Sequence, residues 1–355
     1  MGKTMASRLI GTAALAAAAL ILAGCAQAPA EGEGGGSDFC ARMVTNSGGL
    51  EDRSFNQSSW AGLQEAEKSV GLEAKVLVST SETDLAPNVE QAAASGCGFV
   101  LTVGYELTAA TAEAAEENPE VDFAIVDDVV DAPNVKPIVF DTAQAAYLAG
   151  YLAAGVSKTG VVATYGGGNQ PPVTLFMDGF VDGVAKYNEV HGTAVTALGW
   201  DKAAQDGVFT GDFEDINKGL TVTQAFIDQG ADVILPVAGQ VGEGSATAAQ
   251  QAGDVVVIWV DSDGYDTLPA EYRPVILTSV LKNTGDAVVQ IVGESKDGSF
   301  TNEQYVGTLE NGGVDIADFH DLADRVSAEL AAEIEGLREQ IIEGSIIVTS
   351  PSAPK

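Results

Sequence analysis

Residues 41–62, ARMVTNSGGLEDRSFNQSSWAG, decide how the rest of the chain is read. The stretch opens on a short apolar run, Ala41-Arg42-Met43-Val44, and passes into a helical pattern, so a first β-strand turns here into a first helix. In open α/β sheets, ligands bind outside the carboxyl ends of strands, where the strand order reverses. Gly48 and Gly49 suit the tight turn, and Ser54 or Asp52 can cap the new helix. Phe55 and Asn56 stand out, because a large aromatic face beside an amide suits a flat polar ligand at such a junction. The plainer alternative is Phe55 as a core anchor at the helix start.

Outward from that stretch, strand-like and helical segments alternate. Strands are expected over 74–78, 99–103 and 123–126, with Val139-Phe140 ending a further one, and helices over 88–94 and 107–117. Residues 142–155, TAQAAYLAGYLAAG, read as a small-residue helix apt for tight burial against a sheet. A second series follows, with strands over 161–164, 194–198, 233–236 and 255–260 and helices over 176–187, 220–229 and 245–251. Such alternation implies parallel sheets covered by helices on both faces. Two series imply two lobes, with the ligand in the cleft between their strand ends.

The second series has polar strand-end residues of its own. Asp261-Ser262-Asp263-Gly264 follows one strand, Ala238-Gly239-Gln240 another, and Lys282 follows the strand expected over 275–280. Gly211-Asp212-Phe213-Glu214-Asp215 precedes a helix and repeats the aromatic-at-helix-start arrangement of Phe55. A strand-end Asp is more often a helix cap than a ligand contact, so it is their recurrence at one edge that points to a site.

Composition narrows the function. Asp and Glu number 51 against 17 Lys and Arg, a formal charge of -34. That argues strongly against a nucleic-acid partner, since phosphate binding needs basic clusters. The carboxylates are scattered and read mainly as a solvated surface. His191 and His320 are the chain's 2 histidines, and no Cys or His beside them completes a metal pattern. No G-x-S-x-G elbow occurs, and Gly166-Gly167-Gly168 lacks both the dinucleotide spacing and a P-loop lysine. The glycines therefore read as a turn or ligand-side loop, and neither catalysis nor a cofactor is expected.

The amino-terminal segment reads as an export signal. Lys3 and Arg8 precede an uncharged run, and Leu22-Ala23-Gly24-Cys25 looks like a bacterial lipobox, which implies a signal peptide over 1–24 and a lipid on Cys25. Residues 25–37 read as a flexible tether. About 330 residues remain, which fits two domains better than one core. With Cys25 assigned to lipid, Cys40 and Cys97 are left in an oxidising compartment. If their strands are parallel neighbours, both lie at the same end of the sheet, and a disulfide worth ~4 kcal/mol on the entropic model is expected. Two free buried thiols are the alternative.

The opening stretch, followed by YLAGYLAAG, MDGFVDG, GDFEDINKG, QGADVILPVAG, WVDSD and TSVLK, resembles the basic membrane protein family of bacterial lipoproteins. Members related to the purine nucleoside receptor serve ABC transporters as substrate-binding components. The resemblance covers residues 38–350; Glu51 and Arg53 stand where Asp and Lys are more usual, and Gly264 where Gln is common. It implies a type I periplasmic-binding-protein fold of two Rossmann-like lobes, 38–141 plus 283–302 and 142–282 plus 303–350. It also implies a base sandwiched by Phe55 and Phe213, with Asp127, rather than Asp128, accepting base N–H groups beside Asn56. Asp261, Lys282 and Gly239 are then expected at the sugar. The reading is a monomer on the extracytoplasmic side of the cell membrane that passes purine nucleosides to a permease. A nucleoside- or sugar-sensing lipoprotein not coupled to transport is the alternative.

Overall fold

The computed structural model describes residues 39–355. The expected signal peptide, the lipid on Cys25 and the tether lie outside the described residues.

In chain order the elements are β1 (Cys40–Thr45), α1 (Phe55–Ala66), β2 (Glu73–Leu77), α2 (Leu85–Ala93), β3 (Phe99–Val103), α3 (Thr108–Glu117), β4 (Asp122–Val126) and β5 (Val135–Phe140). Next come α4 (Thr142–Val156), β6 (Val161–Gly166), α5 (Pro171–His191), β7 (Thr196–Leu198), β8 (Trp200–Asp201), β9 (Asp206–Gly207), α6 (Ile216–Ile227), β10 (Val233–Val237) and α7 (Glu243–Ala252). The chain ends with β11 (Val256–Asp261), α8 (Gly264–Thr267), β12 (Ile276–Lys282), α9 (Thr284–Lys296), β13 (Tyr305–Gly307), β14 (Val314–Ile316) and α10 (Ala328–Ile342).

These strands form two six-stranded sheets with the same winding, β13-β5-β4-β3-β1-β2 and β14-β12-β11-β10-β6-β7. All pairings within them are parallel except β12 with β14. Successive residues of a strand face opposite sides, and here both sides are buried. Met43 and Leu101 join one apolar cluster while Val44 and Val100 join another. In the second sheet Val233 and Leu235 alternate in the same way with Ile234. This accounts for the unbroken apolar runs of the sequence.

The run over 142–155 becomes α4, which packs on α5, β12 and β14. Small residues set the spacing: a Cβ on Gly150 would sit 2.0 Å from the Phe180 carbonyl oxygen, and one on Gly183 would sit 2.0 Å from that of Tyr147. The two backbones therefore touch, and a larger residue at either position would force the helices apart.

The chain passes between the sheets near Asp141, near Lys282 and after Gly307. The last passage differs from the expected boundary at 302/303. Tyr305, Val306 and Gly307 pair with Ile138, Val139 and Phe140 of β5, so the segment still belongs to the first sheet before β14 joins the second. Three-residue strands carry too little pattern to be read from sequence. The disulfide of Cys40 and Cys97 ties β1 to the segment before its parallel neighbour β3, at the amino ends of both strands.

Candidate functional site

The carboxyl ends of both sheets face one cavity, with about 610 Å³ of space between its walls, part of it open to solvent. The first lobe supplies Asn46, Asp52, Phe55, Glu106 and Asp127, and the second supplies Gln170, Phe213, Gly239, Asp261 and Lys282.

Asp52 builds the entry to α1. Its carboxylate accepts from the backbone N–H groups of Ser54 at 3.1 Å, Asn56 at 2.6 Å and Gln57 at 3.0 Å, satisfying donors that a helix start leaves open. Burial pushes this carboxyl up to about 6, against the pull of those three N–H groups, and the nearby charge of Asp261 adds to the rise. With the cap supplied by Asp52, Ser54 is free to reach across the cleft, and its hydroxyl donates to Asp261 at 2.5 Å. Phe55 follows at the first position of α1, half-buried, with its ring on the cavity.

Lys282 ends β12 and is nearly enclosed. Its ammonium lies 2.6 Å from Asp127 Oδ2, 3.6 Å from Asp261 Oδ1 and 4.4 Å from the centre of the Phe55 ring. Burial alone would lower its pKa, but the two carboxylates outweigh that and hold it above the usual lysine range. Burial raises Asp127 in turn, with Lys282 pulling against it. One ammonium thus neutralises part of an otherwise acidic cavity, and the aromatic face adds a cation–π contact.

Phe213 reaches the cavity from the loop before α6. That loop is braced by Asp212, which accepts from the N–H groups of Glu214 at 3.1 Å and Asp215 at 2.9 Å and pairs with Lys218. The ring lies on Gly167, where a Cβ would stand 2.3 Å from Phe213 Cε1. The triple glycine that lacked a nucleotide-binding pattern therefore provides the bed for an aromatic wall. Gly239 follows β10 with φ of 53° and lines the cavity.

The lobes are closed on each other. Besides the Ser54–Asp261 and Lys282–Asp127 bonds, Ser47 donates to Glu214 at 2.7 Å, Gln170 to Glu106 at 2.9 Å, and the Trp259 indole to the Arg53 carbonyl at 3.3 Å. Asn56 stands one layer behind the wall instead of on it. As the second residue of α1 it points inward, and its amide donates to Asn46 Oδ1 at 2.7 Å, so of these two asparagines it is Asn46 that lines the cavity. Asp127 lines the cavity and Asp128 does not; the latter accepts instead from the N–H of Val129 at 2.8 Å and from the Thr108 hydroxyl.

Residues 40–352 match a family model described as ABC transporter substrate-binding protein PnrA-like. The chain belongs to this family. Its members are substrate-binding proteins, not enzymes. The ABC transporter nucleoside-binding protein BmpA of Lactococcus lactis is 33% identical, with 98% of this chain and 100% of that protein covered. The CD4+ T-cell-stimulating antigen of Listeria monocytogenes is 32% identical over 88% of each chain. The crystal structure of an ABC transporter solute-binding protein from Aeropyrum pernix shares the fold, with a TM-score of 0.78 at 23% identity over 88% of this chain and 94% of the other. The fold is thus the periplasmic-binding-protein type.

Sequence reasoning missed several wall residues of this PnrA-like chain. Asn46 and Glu106 lie just beyond the ends of β1 and β3, where the strand-end rule used for Asp261 would have found them. Gln170 immediately precedes Pro171 at the start of α5 and carried no comparable signal. Among the described residues no group of His, Cys, Asp and Glu is arranged to hold a metal ion, and no helix is long and apolar enough to cross a membrane.

Proposed function

We propose that this protein, anchored by lipid on Cys25, captures purine nucleosides for an ABC importer by closing its two lobes. The reading is supported above all by Phe55 and Phe213, which reach one cavity from opposite lobes, with Asp127, Lys282 and Asp261 beside them. In this reading the base stacks between the two rings, each contributing ~1–3 kcal/mol. Asp127 has one oxygen left by Lys282 for a base N–H, and Asn46, held by Asn56, faces the same space. Asp261 accepts from ribose hydroxyls, Lys282 donates to a ribose oxygen, and Gly239 lets backbone approach the sugar.

The acidic lining favours an uncharged, donor-rich ligand and disfavours nucleotides. Opening would separate Phe55 from Phe213, so a ligand touching both favours the closed form by its extra affinity for it. The nucleoside-binding name of the lactococcal relative points the same way. A micromolar dissociation constant, about -8 kcal/mol, is within reach of two stacking faces and several hydrogen bonds. The closed monomer would then dock on its permease and release the ligand as the lobes part.

Calorimetry with guanosine, adenosine, inosine, uridine, ribose and free bases tests the proposal. Micromolar binding of purine nucleosides is expected. Heat with ribose alone would move the function to sugars, and no heat with any purine nucleoside would end this reading.

A further inference from the structure

Four carboxylates line the cavity, and each is already held by at least one partner. Asp52 holds the start of α1, Asp261 receives the Ser54 hydroxyl, and Asp127 is bound to Lys282. Glu106 sits in the turn after β3, between Gly104, with φ of 125°, and the fully buried Leu107, so its backbone is fixed. The missing side chain of Gly104 makes room for it: a Cβ there would lie 2.8 Å from Glu106 Oε2 and 3.1 Å from Asn46 Cβ. Glu106 Oε1 accepts from Gln170 across the cleft at 2.9 Å, while among the described residues Oε2 has no hydrogen-bond partner. Gln170 stands beside Phe213, since a Cβ on Gly168 would be 3.4 Å from Gln170 Nε2 and 3.5 Å from Phe213 Cε2. The carboxylate is therefore oriented at the cavity wall, with Oε1 on Gln170 and the second oxygen, Oε2, over Gly104. Glu106 is also close enough to Asp127 for its charge to oppose ionisation of that carboxyl.

We propose that Glu106 accepts a hydrogen bond from the 2-amino group of a purine base, making the site selective for guanosine-type nucleosides, an inference that rests on the nucleoside reading above. Guanine carries two neighbouring donors, N1–H and the 2-amino group. Asp127, with one oxygen held by Lys282, answers one N–H donor, and the Glu106 oxygen answers the second. Hypoxanthine offers N1–H without the amino group, so inosine leaves the Glu106 oxygen unanswered. A hydrogen bond to a charged group that one ligand makes and the other lacks corresponds to about tenfold or more in affinity. Gln170 acts as a positioning residue that holds the carboxylate in place when the lobes close.

The test is calorimetry of guanosine and inosine on the full chain, with Glu106→Leu and Gln170→Ala variants. Wild type is expected to prefer guanosine by about tenfold or more. Glu106→Leu should bring that ratio close to one, with inosine losing only what the broken bond to Gln170 contributes and guanosine losing more, and Gln170→Ala should weaken both ligands and lower the preference severalfold without abolishing it. Equal losses for both nucleosides in Glu106→Leu would make Glu106 a lobe latch only and overturn the inference, as would a wild-type ratio near one. Absence of binding by either nucleoside to wild type would instead remove the nucleoside reading itself.

Discussion

Asp127 and Asp261 occupy equivalent places in the two lobes and converge on one lysine. Asp127 directly follows β4 and Asp261 ends β11, the third strands of their sheets as ordered from β13 and β14. Both adopt left-handed backbone, with φ of 72° and 66°. That conformation is uncommon for residues other than glycine, though Asp tolerates it better than most. Here it accompanies two carboxylates turned toward Lys282 Nζ, 2.6 Å and 3.6 Å away. The lobes thus share a topology and an acidic strand end, and closure joins those ends through a single cation.

Replacing that cation should be costly. Lys282→Met leaves Asp127 and Asp261 buried without their counter-charge, and breaking a buried ion pair from one side costs about 3–5 kcal/mol. Burial already raises Asp127, so in the variant that carboxyl should take up a proton as pH falls. The stability loss measured by denaturant titration should therefore be large at pH 7 and smaller at pH 5. An equal loss at both values would show that the ammonium is not what balances these carboxylates.

The bed of Phe213 offers a test that leaves the aromatic itself in place. A Cβ at Gly167 would stand 2.3–2.4 Å from two ring carbons of Phe213, so Gly167→Ala must displace the ring. Nucleoside affinity should fall toward that of Phe213→Ala, a loss of about 1–3 kcal/mol, and Phe55→Ala should fall by a similar amount. Circular dichroism should show all three folded. Wild-type affinity in Gly167→Ala would mean that the Phe213 ring takes no part in binding.

How far the sequence revealed this arrangement depended on how local each signal was. Long apolar runs such as 99–103 and the small-residue run over 142–155 fixed strands and helices, because burial on two faces needs unbroken apolar residues. Phe55, Asp261 and Lys282 were visible because each sits at the junction of a patterned segment and a loop. Glu106 and Asn46 share that position, so the same strand-end rule reaches them, but their ordinary surface residue types draw no attention to it. Asn56 looked like a wall residue because spacing along a helix start does not say which side faces the ligand. The short pairing of β13 with β5, which moves the last passage between lobes past Gly307, is long-range and has no local signature.

The disulfide should serve stability and not binding. Cys40 and Cys97 lie at the amino ends of adjacent strands, whereas the cavity is at the carboxyl ends. A double Cys40→Ala/Cys97→Ala variant should lose about 2–5 kcal/mol of unfolding free energy. Its nucleoside affinity, measured below its lowered melting temperature, should match wild type. A large affinity loss in the folded variant would mean that the bridge positions Phe55 through β1.

Asp52 should make stability depend on pH in a direction opposite to that of a salt-bridged carboxylate. Its folded value of about 6 lies above the ordinary 3.8, so the folded protein binds a proton more tightly than the unfolded chain. Its contribution is then fully present below the ordinary value and is lost as pH rises through about 6, a change of roughly 3 kcal/mol for a shift of about two units. Asp52→Asn cannot titrate, and its amide oxygen can still accept from the start of α1. Between pH 4 and 7 the stability of wild type should therefore fall relative to the variant, with the change centred between the two pKa values and flat above. Parallel stability curves over that range would mean that the three N–H bonds fully offset the burial of the carboxylate, and that Asp52 remains an ordinary acid inside the closed cleft.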